Sequence, residues 1–161
     1  MRTMSLMGVR STTPDSGLVA VLMEEGGPGM LAVPVGARDG LLLSTPEWSR
    51  RPTWAPFLAA CVDAFGSSVL RVVLDVDDDG GLCCTAVLDA DTPTLSTSVP
   101  CTPSDGLILA SALSVPLLAT GALLRLRGID LGEEELQHRL QQWRRALDDA
   151  AAEDAASAPG S

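Results

Sequence analysis

Two aspartates, Asp39 and Asp105, have the residue type and the spacing to form a site. Each is followed by glycine and an apolar run, so each stands at the start of a predicted helix. If the fold brought the two carboxylates together, they could bind Mg²⁺ or Mn²⁺ and activate water for phosphodiester cleavage. The alternative is that each aspartate caps its helix by accepting backbone N–H groups, and Ser104 fits the same role. Both interpretations remain open from the sequence.

Other polar and aromatic residues fit a supporting role at such a site. Arg38, Arg51 and Ser104 are candidates for binding substrate, and the two guanidinium groups could contact phosphate through paired hydrogen bonds. Trp48 and Trp54 flank a pair of arginines and could stack on a base, or instead anchor a loop or an oligomer contact. The single histidine, His138, lies next to no serine, cysteine or paired carboxylate that would mark a catalytic set.

Composition limits the partners and the cell compartment. The chain has 161 residues, of which 46% are hydrophobic, and a formal net charge of −10. A charge of this sign repels polyanions, so the sequence predicts at most weak nucleic-acid binding. The four cysteines form no C-x-x-C pair and are interpreted as buried free thiols in a reducing compartment; they are Cys61, Cys83, Cys84 and Cys101.

Localisation follows from the absence of targeting patterns. The first ten residues contain no apolar segment of the kind found in secretory signals. The segment Gly106 to Leu124 has no charged residue, but it contains Pro116 and several hydroxyl residues. We interpret it as two short helices buried in a core rather than a membrane span. The sequence therefore predicts a cytoplasmic protein that does not enter the membrane.

The two halves of the sequence resemble each other. A shift of 66 residues places Val33-Pro34 on Val99-Pro100 and Asp39-Gly40 on Asp105-Gly106 without a gap. Each half is predicted to contain three strands and two helices. Neither half could bury both faces of its strands alone, so the halves should share one sheet and one core. The predicted fold class is therefore α/β (α+β), an internally duplicated β-β-β-α-α unit followed by a C-terminal helix.

The element boundaries come from apolar periodicity and turn residues. Helices are predicted to begin near Leu41 and Leu107, to run from Thr53 to Phe65, and to run from Leu117 to Leu124. The segment Asp77 to Gly81 predicts a hairpin turn. Six strands are predicted, at Met4–Val9, Leu18–Glu24, Met30–Val35, Val69–Val76, Leu82–Asp89 and Leu95–Val99.

The C-terminal part differs from the rest of the chain. We divide the sequence into a duplicated domain (1–127), an amphipathic helix (128–149) and a disordered acidic tail (150–161). Asp130 and Glu133 have the spacing of a capping box at the start of that helix. Its apolar stripe consists of Leu136, Leu140, Trp143 and Leu147. A single helix with such a stripe must either fold back onto its own domain or dock onto another chain. The glycine-containing connection Arg127 to Asp130 favours docking, onto a second copy or a protein partner.

Three segments carry a family resemblance. They are Gly36 to Gly40, Arg51 to Pro56 and Thr102 to Gly106, which includes Pro-Ser-Asp. Together with the order of elements, they make residues 4 to 124 similar to the bifunctional nuclease (BFN) domain family. The resemblance implies a metal-dependent nuclease that uses Asp39 and Asp105 and cleaves DNA or RNA.

The chain departs from the family pattern at polar positions. The usual glutamate is Asp39, a His-Asp pair is replaced by Ala55 and Pro56, and the arginine before Pro-Ser-Asp is Thr102. These changes remove a general base, a metal ligand and a phosphate clamp. We therefore expect a homo-oligomeric protein-interaction or regulatory module with weak or degenerate catalysis. The alternative is an active metal-dependent nuclease.

Overall fold

The computed structural model describes residues 1–12, 17–44, 54–89 and 96–130. Residues Met1–Ile129 form one compact unit. Its helices are α1 (Ala37–Ser44), α2 (Trp54–Ala64), α3 (Pro103–Leu113) and α4 (Gly121–Arg127). The strands are β1 (Arg2–Ser11), β2 (Leu18–Glu24), β3 (Gly29–Val35), β4 (Ser68–Val76), β5 (Leu82–Asp89), β6 (Ser96–Cys101), β7 (Leu117–Ala119) and β8 (Ile129–Asp130).

The eight strands form a single sheet in the order β6-β5-β4-β7-β1-β2-β3-β8. Strands β1 to β3 form one antiparallel group and strands β4 to β6 form another. Strand β7 joins the two groups, because it pairs antiparallel with β1 and parallel with β4. The mixed α/β class predicted from the sequence is confirmed, and all six predicted strands are present.

The short strand β7 corrects the sequence prediction. A helix was predicted over Leu117–Leu124, but Leu117–Ala119 is a strand and α4 begins only at Gly121. The reason is that these three residues supply backbone hydrogen-bonding groups to strands on both sides, which local helix propensity does not reveal. Thr120 then caps α4, since its hydroxyl oxygen accepts the N–H of Leu123 at 3.2 Å.

Strand β8 lies in the connection that precedes the predicted amphipathic helix. Ile129 and Asp130 form this short strand at the edge of the sheet beside β3. The predicted helix beyond Asp130 and the predicted tail 150–161 lie outside the described residues. Among the described helices, none is long and apolar enough to cross a membrane.

The two strand groups pair in corresponding registers. In β2 and β3, Leu18 faces Val35, and at the same step in β5 and β6, Cys84 faces Cys101. Strands β1 and β4 each contain a bulge, at Met7 and at Leu70 respectively. The two bulges are 63 residues apart in the sequence, three fewer than the shift of 66 that relates the two halves. The gapless alignment predicted from the sequence is therefore wrong for β1 and β4.

The core is aliphatic, as the composition predicts. Within the described residues no polar or charged residue is buried. Helices α3 and α4 each contact both β3 and β4, although three strands separate these in the sheet, so the sheet curls around the helices. The largest fully buried side chains are Leu22, Leu31, Leu74, Leu107, Ile108, Leu123, Val33 and Val72.

Candidate functional site

A cavity of about 390 Å³ lies between the first turns of α1, α2 and α3 and strands β5 and β6. It brings together both aspartates proposed from the sequence, one proposed arginine and one tryptophan. Its remaining lining is mostly apolar. The full lining set is Arg38, Asp39, Leu42, Trp54, Leu58, Ala86, Val99, Cys101, Asp105 and Leu109.

The backbone places the two carboxylates in equivalent positions. Each aspartate is the third residue of its helix, and each helix starts within two residues of the end of a strand. The N–H of Gly40 donates to the carbonyl of Gly36 at 2.8 Å, and the N–H of Gly106 donates to the carbonyl of Thr102 at 2.9 Å. Acidic residues in a first helical turn are favoured by the positive end of the helix dipole.

Packing explains the glycine that follows each aspartate. A Cβ atom at Gly106 would overlap the Cys84 sulfur and would lie 3.0 Å from Val72 Cγ1. A Cβ atom at Gly40 would lie 2.6 Å from Leu18 Cδ1. Both helices therefore approach the sheet closely at this turn, which holds the preceding aspartates at the cavity.

The cap of α3 is formed by Thr102. This residue has extended backbone angles, and its hydroxyl oxygen accepts the N–H of Asp105 at 3.1 Å. The same hydroxyl donates to Asp105 Oδ2 at 2.7 Å. Neither Asp105 nor Ser104 is the N-cap of α3, so the capping alternative assigned these two residues the wrong position. Ser104 Oγ lies 3.5 Å from the Thr102 hydroxyl, and Ser104 does not line the cavity.

The carboxylates do not belong to a larger set of metal ligands within the described part of the chain. No group of three or more His, Cys, Asp and Glu side chains is placed there to hold a metal ion. One Asp105 oxygen is also engaged by Thr102. The cavity can therefore offer two acidic groups to a cation or to hydrogen-bond donors, and the Arg38 guanidinium to an anion.

Several predicted residues lie outside the described residues. They are Arg51 and Trp48 from the predicted phosphate and stacking set, His138, and the stripe Leu136, Leu140, Trp143 and Leu147. Of the predicted supporting residues, Arg38 and Trp54 line the cavity.

Cysteine is the functional residue type that the sequence interpretation missed at this cavity. All four cysteines are free, but only Cys84 is buried. Cys101 lines the cavity, and a hydrogen bond from the Cys84 thiol lowers the pKa of Cys101. The same bond, together with burial, raises the pKa of Cys84. The repeat could have revealed this pair, since its shift of 66 places Cys84 and Cys101 on the paired residues Leu18 and Val35.

No protein-family model and no curated protein matches this sequence.

Proposed function

We propose that this protein is a diverged BFN-like scaffold that acts in the cytoplasm as a self-associating protein-interaction or regulatory module, with weak or no nuclease turnover. The proposal combines the sequence resemblance with a second feature of the fold. That feature is an exposed apolar surface on α2, and it is the observation that carries the proposal.

An origin by duplication is supported by equivalent contacts in the two halves. Leu18 pairs with Val35, and Cys84 pairs with Cys101. Each residue of the second pair lies 66 positions after its counterpart in the first. The glycine that follows each aspartate packs against the first member of its pair. A repeated contact of this kind is expected when one ancestral unit is copied.

The α2 surface consists of Trp54, Phe57 and Leu58 on α2, with Phe65 directly after the helix. Both phenylalanines of the protein are on it, and they are 73% and 86% exposed respectively. Ala55 is the only buried residue of the eleven in α2. A helix of a globular protein normally buries an apolar stripe against the core. The α2 surface is thus available to another molecule, and adjacent exposed aromatic residues are typical of protein interfaces.

Charge favours a second copy of this chain as the occupant. The protein carries a net charge of −10, so most of its surface repels an identical molecule. The segment from Trp54 to Phe65, however, contains one charged side chain, Asp63. A two-fold contact through α2 would place aromatic rings against aromatic rings and would bring few like charges together.

We expect Phe57→Ser combined with Phe65→Ser to convert the oligomer to a monomer with little change in melting temperature. Both side chains are mostly exposed within one molecule, so their removal costs interface rather than core packing. Sedimentation velocity over a range of protein concentrations, with thermal melting of the same samples, measures both quantities. Leu126→Ser is the matched control, because Leu126 is 60% exposed on α4. A wild-type protein that stays monomeric, or a double mutant that still associates, would contradict self-association through α2.

The alternative function is a metal-dependent nuclease. The observation that favours it is the cavity shared by Asp39, Asp105 and Arg38, because two carboxylates and a guanidinium could position a metal ion and a phosphate. The departures from the family pattern weigh against it, since Ala55, Pro56 and Thr102 supply no general base and no cation.

For the nuclease alternative, we expect no metal-dependent cleavage above background. The assay uses single- and double-stranded DNA and RNA with titrated Mg²⁺ and Mn²⁺, and compares wild type with Asp39→Asn and Asp105→Asn. The helix cap is retained because it uses the backbone N–H of residue 105, and the asparagine side-chain oxygen can still accept the hydrogen bond from the Thr102 hydroxyl. Asp63→Asn, on exposed α2, is the control. Turnover that is lost in both cavity variants and kept in the control would establish the nuclease instead.

A further inference from the structure

Cys84 and Cys101 face each other across the antiparallel pair of strands β5 and β6. Directly opposed residues in an antiparallel ladder have Cα atoms about 4.5–5.5 Å apart. This separation falls within the range of about 4.4–6.8 Å over which disulfides form. The backbone therefore already holds the two residues at a distance that an S–S bond can span.

The two sulfur atoms also lie near the same position, next to Gly106. A Cβ atom built at Gly106 would overlap the sulfur of Cys84 and would lie 3.5 Å from the sulfur of Cys101. The side chains thus lie on the same face of the sheet, beneath the first turn of α3. Because residue 106 is glycine, no side chain separates the two sulfurs.

The two thiols differ in access to solvent. Cys84 is 2% exposed, whereas Cys101 is only partly buried and lines the cavity beside Arg38 and Asp105. The hydrogen bond from Cys84 lowers the pKa of Cys101, while partial burial and the nearby Asp105 carboxylate oppose that shift. Since the thiolate is the reactive form of cysteine, Cys101 is the nucleophile of the pair. The buried Cys84 thiol then reacts with the oxidised Cys101.

We propose that Cys84 and Cys101 form an oxidisable dithiol, in which Cys101 reacts with a hydroperoxide in the cavity and Cys84 resolves the product to an intrachain disulfide. The proposal does not depend on self-association through α2.

The chemistry proceeds in two steps. In the first, the Cys101 thiolate attacks a peroxide oxygen and the O–O bond breaks. Sulfur is oxidised to a sulfenic acid, and the departing oxyanion takes a proton from solvent to leave as water or an alcohol. In the second, the Cys84 sulfur attacks the sulfenic sulfur. An S–S bond forms, the S–O bond breaks, and the hydroxyl leaves with the Cys84 proton as water.

The other cysteines are poorly placed for this reaction. Cys83 is adjacent in sequence to Cys84, so its side chain points to the opposite face of the sheet. Burial and the nearby Asp75 and Asp77 carboxylates raise the pKa of Cys83, which disfavours its thiolate. Cys61 lies on α2 and is not among the residues that line the cavity beside Cys101.

The test is to treat the reduced full-length protein with limiting hydrogen peroxide and follow it by intact-mass and peptide mass spectrometry. We expect the loss of two hydrogens per chain, a crosslinked peptide pair containing Cys84 and Cys101, and full reversal by dithiothreitol. A disulfide between Cys83 and Cys84, an intermolecular disulfide, or no oxidation at either residue would overturn the proposal.

Three serine variants separate the roles of the two thiols. In Cys84→Ser, Cys101 should accumulate as sulfenic acid with limiting peroxide and as sulfinic acid once a second equivalent is added, because no resolving thiol is present. In Cys101→Ser, Cys84 should remain reduced because it is buried. Cys61→Ser should form the disulfide like wild type. Thermal melting of each variant shows that it is folded, and equal oxidation of Cys84 with and without Cys101 would contradict the assigned order.

Discussion

Leu74→Ala is expected to lower the free energy of unfolding by about 2–5 kcal/mol, the cost of truncating a fully buried leucine. Leu74 lies on β4, near the middle of the sheet, and faces Cys84 on β5 and Ala119 on β7. Its carbonyl also accepts the N–H of Thr120, the residue that caps α4, at 3.1 Å. The cavity left by this truncation therefore lies where the two strand groups meet helix α4.

The matched control is Leu70→Ala on the same strand. Leu70 occupies the bulge of β4 and is 38% exposed, so the same truncation should cost within about 1 kcal/mol. Urea denaturation of both variants, fitted with one common slope, measures the two free energies. Similar losses in both variants would mean that the centre of the sheet is not the main core of the protein.

The strands were predictable because they combine apolar alternation with clear turn residues. Strands β2 and β5 begin and end at the predicted residues. The turn between β4 and β5 is also as predicted, since the Asp77 carboxylate accepts the N–H groups of Asp79 and Gly81. The positive φ of 78° at Gly80 is a backbone conformation that favours glycine. All of this information is local to the chain.

The elements that were mispredicted depend on distant partners. Leu117–Ala119 has no turn residue or alternation long enough to indicate a strand. It becomes β7 because the backbone groups of β1 on one side and β4 on the other form hydrogen bonds with it. Sequence periodicity shows which residues are apolar, but it does not show which strands still need a hydrogen-bonding neighbour.

The candidate site was also predictable only in part. The repeat predicted that Asp39 and Asp105 would have equivalent positions, and the structure places both at one cavity. The Thr102 cap and the Cys84–Cys101 pair were not predicted. The Thr102 cap has a local signal, because Thr102 and Asp105 have capping-box spacing with a proline after the threonine. The cysteine pair depends on cross-strand register, which residue spacing along a single segment does not encode.

Gly106→Ala is expected to lower the free energy of unfolding by about 1–3 kcal/mol, although alanine is the better helix former. The added methyl group would overlap the Cys84 sulfur and press on Val72 Cγ1 at 3.0 Å. Both neighbours have short side chains in the buried core and cannot move aside without shifting the backbone. Chemical denaturation of the variant measures the loss.

Gly40→Ala and a Cys84→Ala background identify the cause of that loss. At Gly40 the nearest obstacle is Leu18 Cδ1 at 2.6 Å, the end of a flexible side chain, so Gly40→Ala should change stability by less than about 1 kcal/mol. In Cys84→Ala the obstructing sulfur is gone, and adding Gly106→Ala should then cost on the order of 1–2 kcal/mol less than it does in wild type. An unchanged cost would exclude the contact between helix α3 and Cys84 as the reason that residue 106 is glycine.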